Sequence, residues 1–253
     1  MPVWKPSNSI AMKISIAVII CAAGTSKRMN GAKKEYLPLP GNKTMTVLGA
    51  AVSAFASCPQ ITSIAITIPP ESSEEAKASL PAGLRDKVIF VNGGTTRRAS
   101  VHNALARLEQ HNPTHILIHD GARPWIKPDL IERVMDAAIS CDAVIPALPL
   151  TETPKELFKP TAESPSAVYI KRHLKRNNVW AAQTPQGFVF SKILEAHEKA
   201  REKEEREDFE YTDDAEIWGE FIGQVAVIPG DPENKKITYP EDLILNKFQE
   251  EHS

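Results

Sequence analysis

The sequence predicts an α/β fold built on a doubly wound, mostly parallel sheet. Three observations carry this reading. Short runs rich in β-branched residues alternate with longer stretches of helical periodicity. Those runs are apolar throughout rather than at every second residue, the pattern of strands covered on both faces. The segments that follow several of them combine glycine with charge, as suits ligand-binding loops at the carboxyl edge of such a sheet.

The strands are expected at Ile14–Cys21, Ile61–Ile68, Val88–Asn92, His115–His119, Ala143–Ala147 and Gln224–Ile228. Helices are expected near Thr46–Ser57, Glu71–Ser79, Arg97–Gln110 and Pro128–Ser140. In Arg97–Gln110 the apolar residues Val101, Ala104, Leu105 and Leu108 recur at helical spacing, so one face packs on a sheet. The stretch Met12–Gly24 imitates a secretory signal. Its apolar core is too short to span a bilayer, and the loop TSKRMNGAKKEY follows it directly, which favours a strand.

Two stretches break the rhythm. Residues 149–172 contain Pro149, Pro154, Pro160 and Pro165 and no sustained helical stripe. So long a connection within one domain implies a purpose. It reads as a protruding arm of extended strands that touches a partner subunit. The stretch HEKAREKEEREDFE, from His197 to Glu210, reads as the solvated end of a helix supported by i,i+4 ion pairs. Residues 1–11 read as a disordered tail, and 12–253 as a single domain that includes the arm.

With 253 residues, 42% of them hydrophobic, the chain can bury a full core. Its 30 basic and 32 acidic residues leave a formal charge of -2 without a basic block, which argues against nucleic acid as a partner. No membrane association is expected. Cys21, Cys58 and Cys141 form no C-x-x-C pair, which excludes zinc and dithiol redox readings. Three small buried thiols in a reducing, cytoplasmic setting are the expectation.

Four constellations could carry chemistry. After the first strand, CAAGTSKRMNGAKKEY offers small residues for close backbone approach and then Lys27, Arg28, Lys33 and Lys34. It matches neither the dinucleotide nor the P-loop glycine pattern, so hydride transfer and P-loop hydrolysis lack their signature. After the third strand, NGGTTRRASVHNAL frees the backbone at Gly93 and Gly94 and brings Arg97 or Arg98 to a helix start, with Thr95 or Thr96 as its cap. After the fourth, HILIHDGARPW ends an apolar strand on Asp120, a potential Mg²⁺ ligand or hydroxyl acceptor, with Arg123 as a phosphate fork. The alternative for that pair is a local ion pair, and His119 reads as a buried, hydrogen-bonded imidazole. The fourth set is scattered: Thr153 and Lys155, Arg176, TDDA at 212–215, and ENKKIT at 233–238. Thr212 is the expected cap of a helix that begins at the two aspartates.

Taken in order, AAGTSKRM with KKEY, GGTTRRASV, HDGARP, LTETPK, KRNNVW with QTPQGF, TDDA and NKKITYPEDL resemble the 2-C-methyl-D-erythritol 4-phosphate cytidylyltransferase family. The resemblance runs from about Ile16 to Leu243. It implies a Rossmann-like nucleotidyltransferase domain and a homodimer clasped through a β-arm. It implies that Arg28 and Lys34 hold the triphosphate of CTP, and that Ala22, Ala23, Gly24, Gly94, Thr95, Ser100 and Gly121 line the cytidine pocket. Asp120, Arg123, Thr153, Thr184 and Thr212 would surround the polyol phosphate, Thr153 and Arg176 reaching over from the partner. Arg176 and Lys236 would aim the attacking phosphate. Mg²⁺ would be held mostly by the CTP phosphates, with Asp120 as the protein ligand. Two departures stand out: Ser26 where the family usually has a second glycine, and Thr95 where an acidic residue is common.

The implied reaction joins a phosphate monoester to the α-phosphorus of CTP and expels pyrophosphate. Two other readings stay open. One is a cytidylyltransferase for another polyol phosphate, such as D-ribitol 5-phosphate. The other is a noncatalytic nucleotide-binding module.

Overall fold

The computed structural model describes residues 14–29, 31–158, 168–207 and 209–244. The predicted tail at 1–11 lies outside them. The elements run in the order β1 (Ile16–Cys21), β2 (Pro38–Leu39), β3 (Asn42–Thr46), α1 (Val47–Ala56), β4 (Ile61–Ile68), α2 (Ser73–Ala78) and β5 (Ile89–Asn92). Next come α3 (Arg97–Glu109), β6 (His115–Asp120), α4 (Pro128–Cys141), β7 (Ala143–Pro149), β8 (Lys155–Leu157), β9 (Ile170–His173), β10 (Trp180–Ala182) and β11 (Gln186–Val189). The series closes with α5 (Phe190–Arg206), α6 (Asp214–Phe221) and β12 (Ala226–Pro229).

Eight strands form the central sheet in the order β10-β7-β11-β6-β1-β4-β5, with β12 paired to β7. β1, β4, β5 and β6 run parallel, while β11 is antiparallel to both β6 and β7. The mostly parallel reading therefore holds, with β10 and β11 as the reversed strands. Strand β1 shows why the sheet is covered twice. Val18 and Ile20 point to one face, with Leu48, Phe55, Leu130 and Val134, and Ala17 and Ile19 point to the other, with Val101, Leu105, Phe188 and Trp218. Every predicted strand is present, the last one shifted to Ala226–Pro229. β10 and β11 escape the sequence reading because WAA and QGFV are short and carry no clear period.

The topology places the site. From β1 the chain builds outward to β4 and β5, then returns to lay β6 on the opposite side of β1. The gap at the carboxyl ends of β1 and β6 is thus a switch point, where crossover loops diverge and leave a crevice.

Two expectations need correction. His197 belongs to no solvated helix end, because it is fully buried. The helix is solvated only on its other face, where Glu195–Lys199 and Arg201–Glu205 pair at i,i+4. Of the three thiols only Cys58 is buried; Cys141 is exposed and Cys21 lies between.

In the region expected to form the arm, β8 and β9 make an antiparallel ladder of their own, apart from the central sheet. Residues 159–167 of that stretch lie outside the described residues.

Candidate active site

A cavity of about 500 Å³ opens at the switch point. One wall is the loop after β1. Ala23, Gly24, Thr25, Ser26 and Arg28 face the opening, followed by Lys34 and Glu35 from a 3-10 turn. Ser26 has φ +49°, the left-handed region that favours glycine, so the serine keeps the conformation that a glycine would supply. Its Oγ donates to Glu35 Oε2 at 3.4 Å, and Lys33 Nζ donates to the Gly24 carbonyl. These contacts tie the loop to the turn that carries Lys34. Burial lowers the Lys34 pKa, with Lys236 and Arg28 adding to the effect. Burial raises that of Glu35.

The second wall is the β5–α3 connection. A Cβ on Gly93 would overlap the Ala23 side chain, so glycine is what lets the two walls meet. Gly94 N–H donates to Ser100 Oγ at 3.0 Å, and Ser100 Oγ donates to the Thr96 carbonyl at 2.9 Å. Of the two expected caps, Thr96 is the one used, its Oγ1 accepting from Ala99 N–H. Gly94, Thr95, Arg97 and Ser100 all line the cavity.

The floor is Asp120 at the end of β6. Its Oδ2 faces Lys236 Nζ at 2.9 Å and Arg123 Nε at 3.4 Å. The local ion pair expected between Asp120 and Arg123 is present, but a distant residue joins it. Burial alone would raise the Asp120 pKa; Lys236, Arg97 and Arg123 outweigh it and hold the carboxyl well below its usual range. Behind the floor, Asp120 N–H donates to Thr184 Oγ1 at 3.1 Å, and that hydroxyl meets His119 Nδ1 at 3.0 Å. The Arg123 carbonyl, 3.2 Å from Nε2, can only accept, so His119 carries its proton on Nε2 and its Nδ1 accepts from the Thr184 hydroxyl. Burial pushes the His119 pKa down to about 4. This residue is a neutral strut.

The segment after β12 completes the site. Asn234 binds the Thr184 carbonyl through Nδ2 at 2.7 Å and receives Arg123 Nη1 on its own carbonyl at 2.8 Å. Ile237 N–H donates to the Ala122 carbonyl at 2.8 Å. Lys236 and Thr238 thereby reach the cavity.

The structure therefore gathers Arg28, Lys34, Lys236, Asp120, Ala23, Gly24, Gly94, Thr95 and Ser100 around one space. Ala22, Gly121, Arg123 and Thr184 stand behind this lining. Ala22 is buried, and a Cβ on Gly121 would lie 3.0 Å from the Cys21 carbonyl. Thr153 and Arg176 are not among the lining residues; Arg176 is exposed and donates from Nη1 to the Thr151 carbonyl at 2.9 Å. Thr212 is also off the cavity, and the expectation for it needs correction. Asp213 caps α6 by accepting from Glu216 N–H, which leaves Thr212 one position early, bound to Glu216 Oε2.

Of the two arginines that the β5–α3 connection offers, Arg97 faces the cavity, whereas Arg98 is buried against Glu204. Glu35 and Thr238, which KKEY and ENKKIT contain without a role of their own, also line the cavity, as does Glu210. Glu35 could have been noticed inside KKEY; Glu210 gave no signal, since its approach is set by the fold. Among the described residues, no three His, Cys, Asp or Glu side chains gather as a metal cage. The donors on offer are separate carboxylates, which suits a hard ion held chiefly by phosphate oxygens and unsuits a dedicated protein cage.

A bifunctional enzyme IspD/IspF of Bartonella tribocorum is 36% identical over 92% of this chain and 55% of its own length. That of Bradyrhizobium diazoefficiens is 39% identical over 90% of this chain and 54% of its own length. The chain thus spans about half the length of these curated relatives. Among solved structures, 2-C-methyl-D-erythritol 4-phosphate cytidylyltransferase of Thermus thermophilus has 30% identity and a TM-score of 0.68, covering 92% of this chain and 98% of that one. The 4-diphosphocytidyl-2C-methyl-D-erythritol synthase of Anaerococcus prevotii has 26% identity and a TM-score of 0.75, covering 94% and 97%. The family described as IspD, 2-C-methyl-D-erythritol 4-phosphate cytidylyltransferase, matches residues 16–251, and the chain belongs to it.

Proposed function

We propose that this chain transfers CMP from CTP to 2-C-methyl-D-erythritol 4-phosphate, giving 4-diphosphocytidyl-2-C-methyl-D-erythritol and pyrophosphate. The observation that supports this most is the convergence of Arg28, Lys34 and Lys236 on one cavity beside Asp120. Two polyanions must approach in line, so the work of the site is positioning and neutralising charge.

The nucleophile is a phosphate monoester whose second pKa is about 6, so it is largely dianionic at neutral pH. Its oxygen forms a bond to the α-phosphorus of CTP while the bond to the β-phosphate oxygen breaks and pyrophosphate leaves. No proton has to be removed. A site whose histidine is buried, neutral and internally bonded is therefore adequate. Arg28 and Lys34 hold the triphosphate and stabilise charge at the reacting phosphorus. Ala23, Gly24, Gly94, Thr95 and Ser100 cradle the nucleoside. Asp120 accepts hydroxyls of the polyol, and Lys236, held against Asp120, meets the attacking phosphate. Mg²⁺ would be held mainly by CTP, with Asp120 as its protein ligand, and would supply further charge neutralisation. Lys236 and Arg123 engage Oδ2 of Asp120, which leaves Oδ1 as the oxygen that would be offered to a ligand.

Thr153 and Arg176 enter this reading through a homodimer in which each arm completes the partner's site. The exposed Leu157, Phe158, Val168, Tyr169 and Ile170 support it, being the kind of surface a second copy covers. A cytoplasmic location accompanies the reading; among the described residues no helix is long and apolar enough to cross a membrane.

The test is pyrophosphate release from CTP and Mg²⁺ with methylerythritol phosphate beside D-ribitol 5-phosphate. Release with the first alone is expected. Release with ribitol phosphate alone would reassign the substrate, and CTP binding without release would leave a nucleotide-binding module.

A further inference from the structure

One charge cluster on the cavity wall has no part in the reaction described above. Arg97 is the first residue of α3, on the wall that carries Gly94, Thr95 and Ser100, whereas Arg28 and Lys34 belong to the loop and turn after β1. Its Nη2 donates to Asp214 Oδ2 at 2.7 Å. Asp214 is fully buried, and its Oδ1 accepts from Nε2 of His197, also fully buried, at 3.1 Å. The backbone around Asp214 is held as firmly. Gln186 Nε2 binds Asp213 Oδ2 at 2.8 Å, and Gln186 Oε1 accepts from Ala215 N–H at 3.0 Å.

Removing a carboxylate from water costs several kcal/mol, and a buried ion pair is weak evidence of a stabilising role. Fixing a guanidinium in one orientation is a better account of the cost. Arg97 remains 25% exposed, and its bond to Asp214 occupies one Nη2–H, which leaves the other Nη2–H to form a parallel fork with Nη1–H or Nε–H. The donors left over belong to a side chain that lines the cavity.

We propose that Arg97 is a further nucleotide-binding residue that reads the acceptor edge of the pyrimidine base, with Asp214 as its positioning residue. This rests on the reading of the cavity as a CTP site. Cytosine presents O2 and N3 as adjacent acceptors, a pair that matches a planar guanidinium fork. Uracil carries a proton on N3 and turns one of the two into a donor. A fixed Arg97 therefore favours CTP over UTP, and it does so only while Asp214 anchors it.

The experiment measures equilibrium binding of CTP and UTP with Mg²⁺ on the full chain, alongside steady-state turnover. Arg97→Lys keeps the charge and loses the fork. It is expected to weaken CTP binding about tenfold, the scale of one charge-assisted hydrogen bond, and to lower the CTP-to-UTP preference by a similar factor. The KM for the polyol phosphate stays within about twofold, as independence of the two half-sites requires. Asp214→Asn should move the same preference in the same direction. If that buried substitution unfolds the chain, Arg97→Lys, at a partly exposed position, decides alone. An unchanged preference in folded Arg97→Lys, or a fall in kcat with CTP affinity intact, overturns the proposal. A wild type that prefers CTP but releases no pyrophosphate overturns the reaction and leaves the binding role standing.

Discussion

The cavity and the arm are built on opposite principles. The cavity hangs from strands buried on both faces, and its polar residues are cross-braced: Asp120 to Lys236, Thr184 to His119, Arg97 to Asp214. The arm offers a two-stranded ladder, surface ion pairs from Glu156 to Lys171 and Arg172, and apolar side chains in the open. Exposed pairs of that kind contribute little, and a lone two-stranded sheet is marginal in water. The difference teaches where each part gets its order. The cavity is preorganised by its own chain, whereas the described part of the arm leaves apolar side chains exposed beside a ladder of only two strands.

The sharpest way to test the preorganised half is to remove one of its charges. Lys34→Ala or Arg28→Ala should lower kcat by roughly 10²–10³, about 3–4 kcal/mol, as loss of one fixed charge-stabilising donor does. Steady-state pyrophosphate release measures it, and near-normal turnover would take that residue out of the mechanism.

The same half should also be acid-sensitive in its fold. His119 titrates near 6.5 when unfolded and near 4 when buried, so its contribution is complete above about 6.5 and declines as pH falls towards 4. Urea unfolding at pH 7 and pH 4.5 should differ by up to about 3 kcal/mol on this account. His119→Gln should flatten that dependence. An equally steep profile in the variant would assign the acid sensitivity elsewhere.

The arm is tested by sharing. Arg176→Ala should lose about a hundredfold in kcat, by the same reasoning as for the other cations. Mixing it with Lys34→Ala should restore activity, because one hybrid site then holds both an intact Lys34 and the partner's intact Arg176. No recovery after subunit exchange would argue that each site is complete within one chain.

The smallest expected effect lies at the cavity mouth. The Arg28 guanidinium sits 5.7 Å from the centre of the Tyr239 ring, which is 51% exposed. Tyr239→Leu should cost about two- to fivefold in kcat, the worth of an exposed cation–π contact, and Tyr239→Phe should cost almost nothing. Equal losses in both would point to the hydroxyl instead.

Much of this was legible in the chain. Continuous apolar runs set the parallel strands because burial on two faces leaves no room for alternating polar residues. Glycine beside clustered cations marked both walls, since close backbone approach and anion binding demand those residue types locally. The proline spacing of 149–172 marked a segment outside the core, and its two strands are there.

Other features depend on partners far away in sequence. That His197 is buried rather than solvated follows from α6 packing over it, which its charged neighbours conceal. That Asp120 pairs with Lys236, and Arg97 with Asp214, depends on which loops the strand order brings together. Local composition determined the strands, the glycine-bearing loops and the cations available. Only the tertiary structure decided which cations share a cavity and which carboxylates hold them. Periodicity and turn chemistry act over a few residues, whereas electrostatic pairing acts across space.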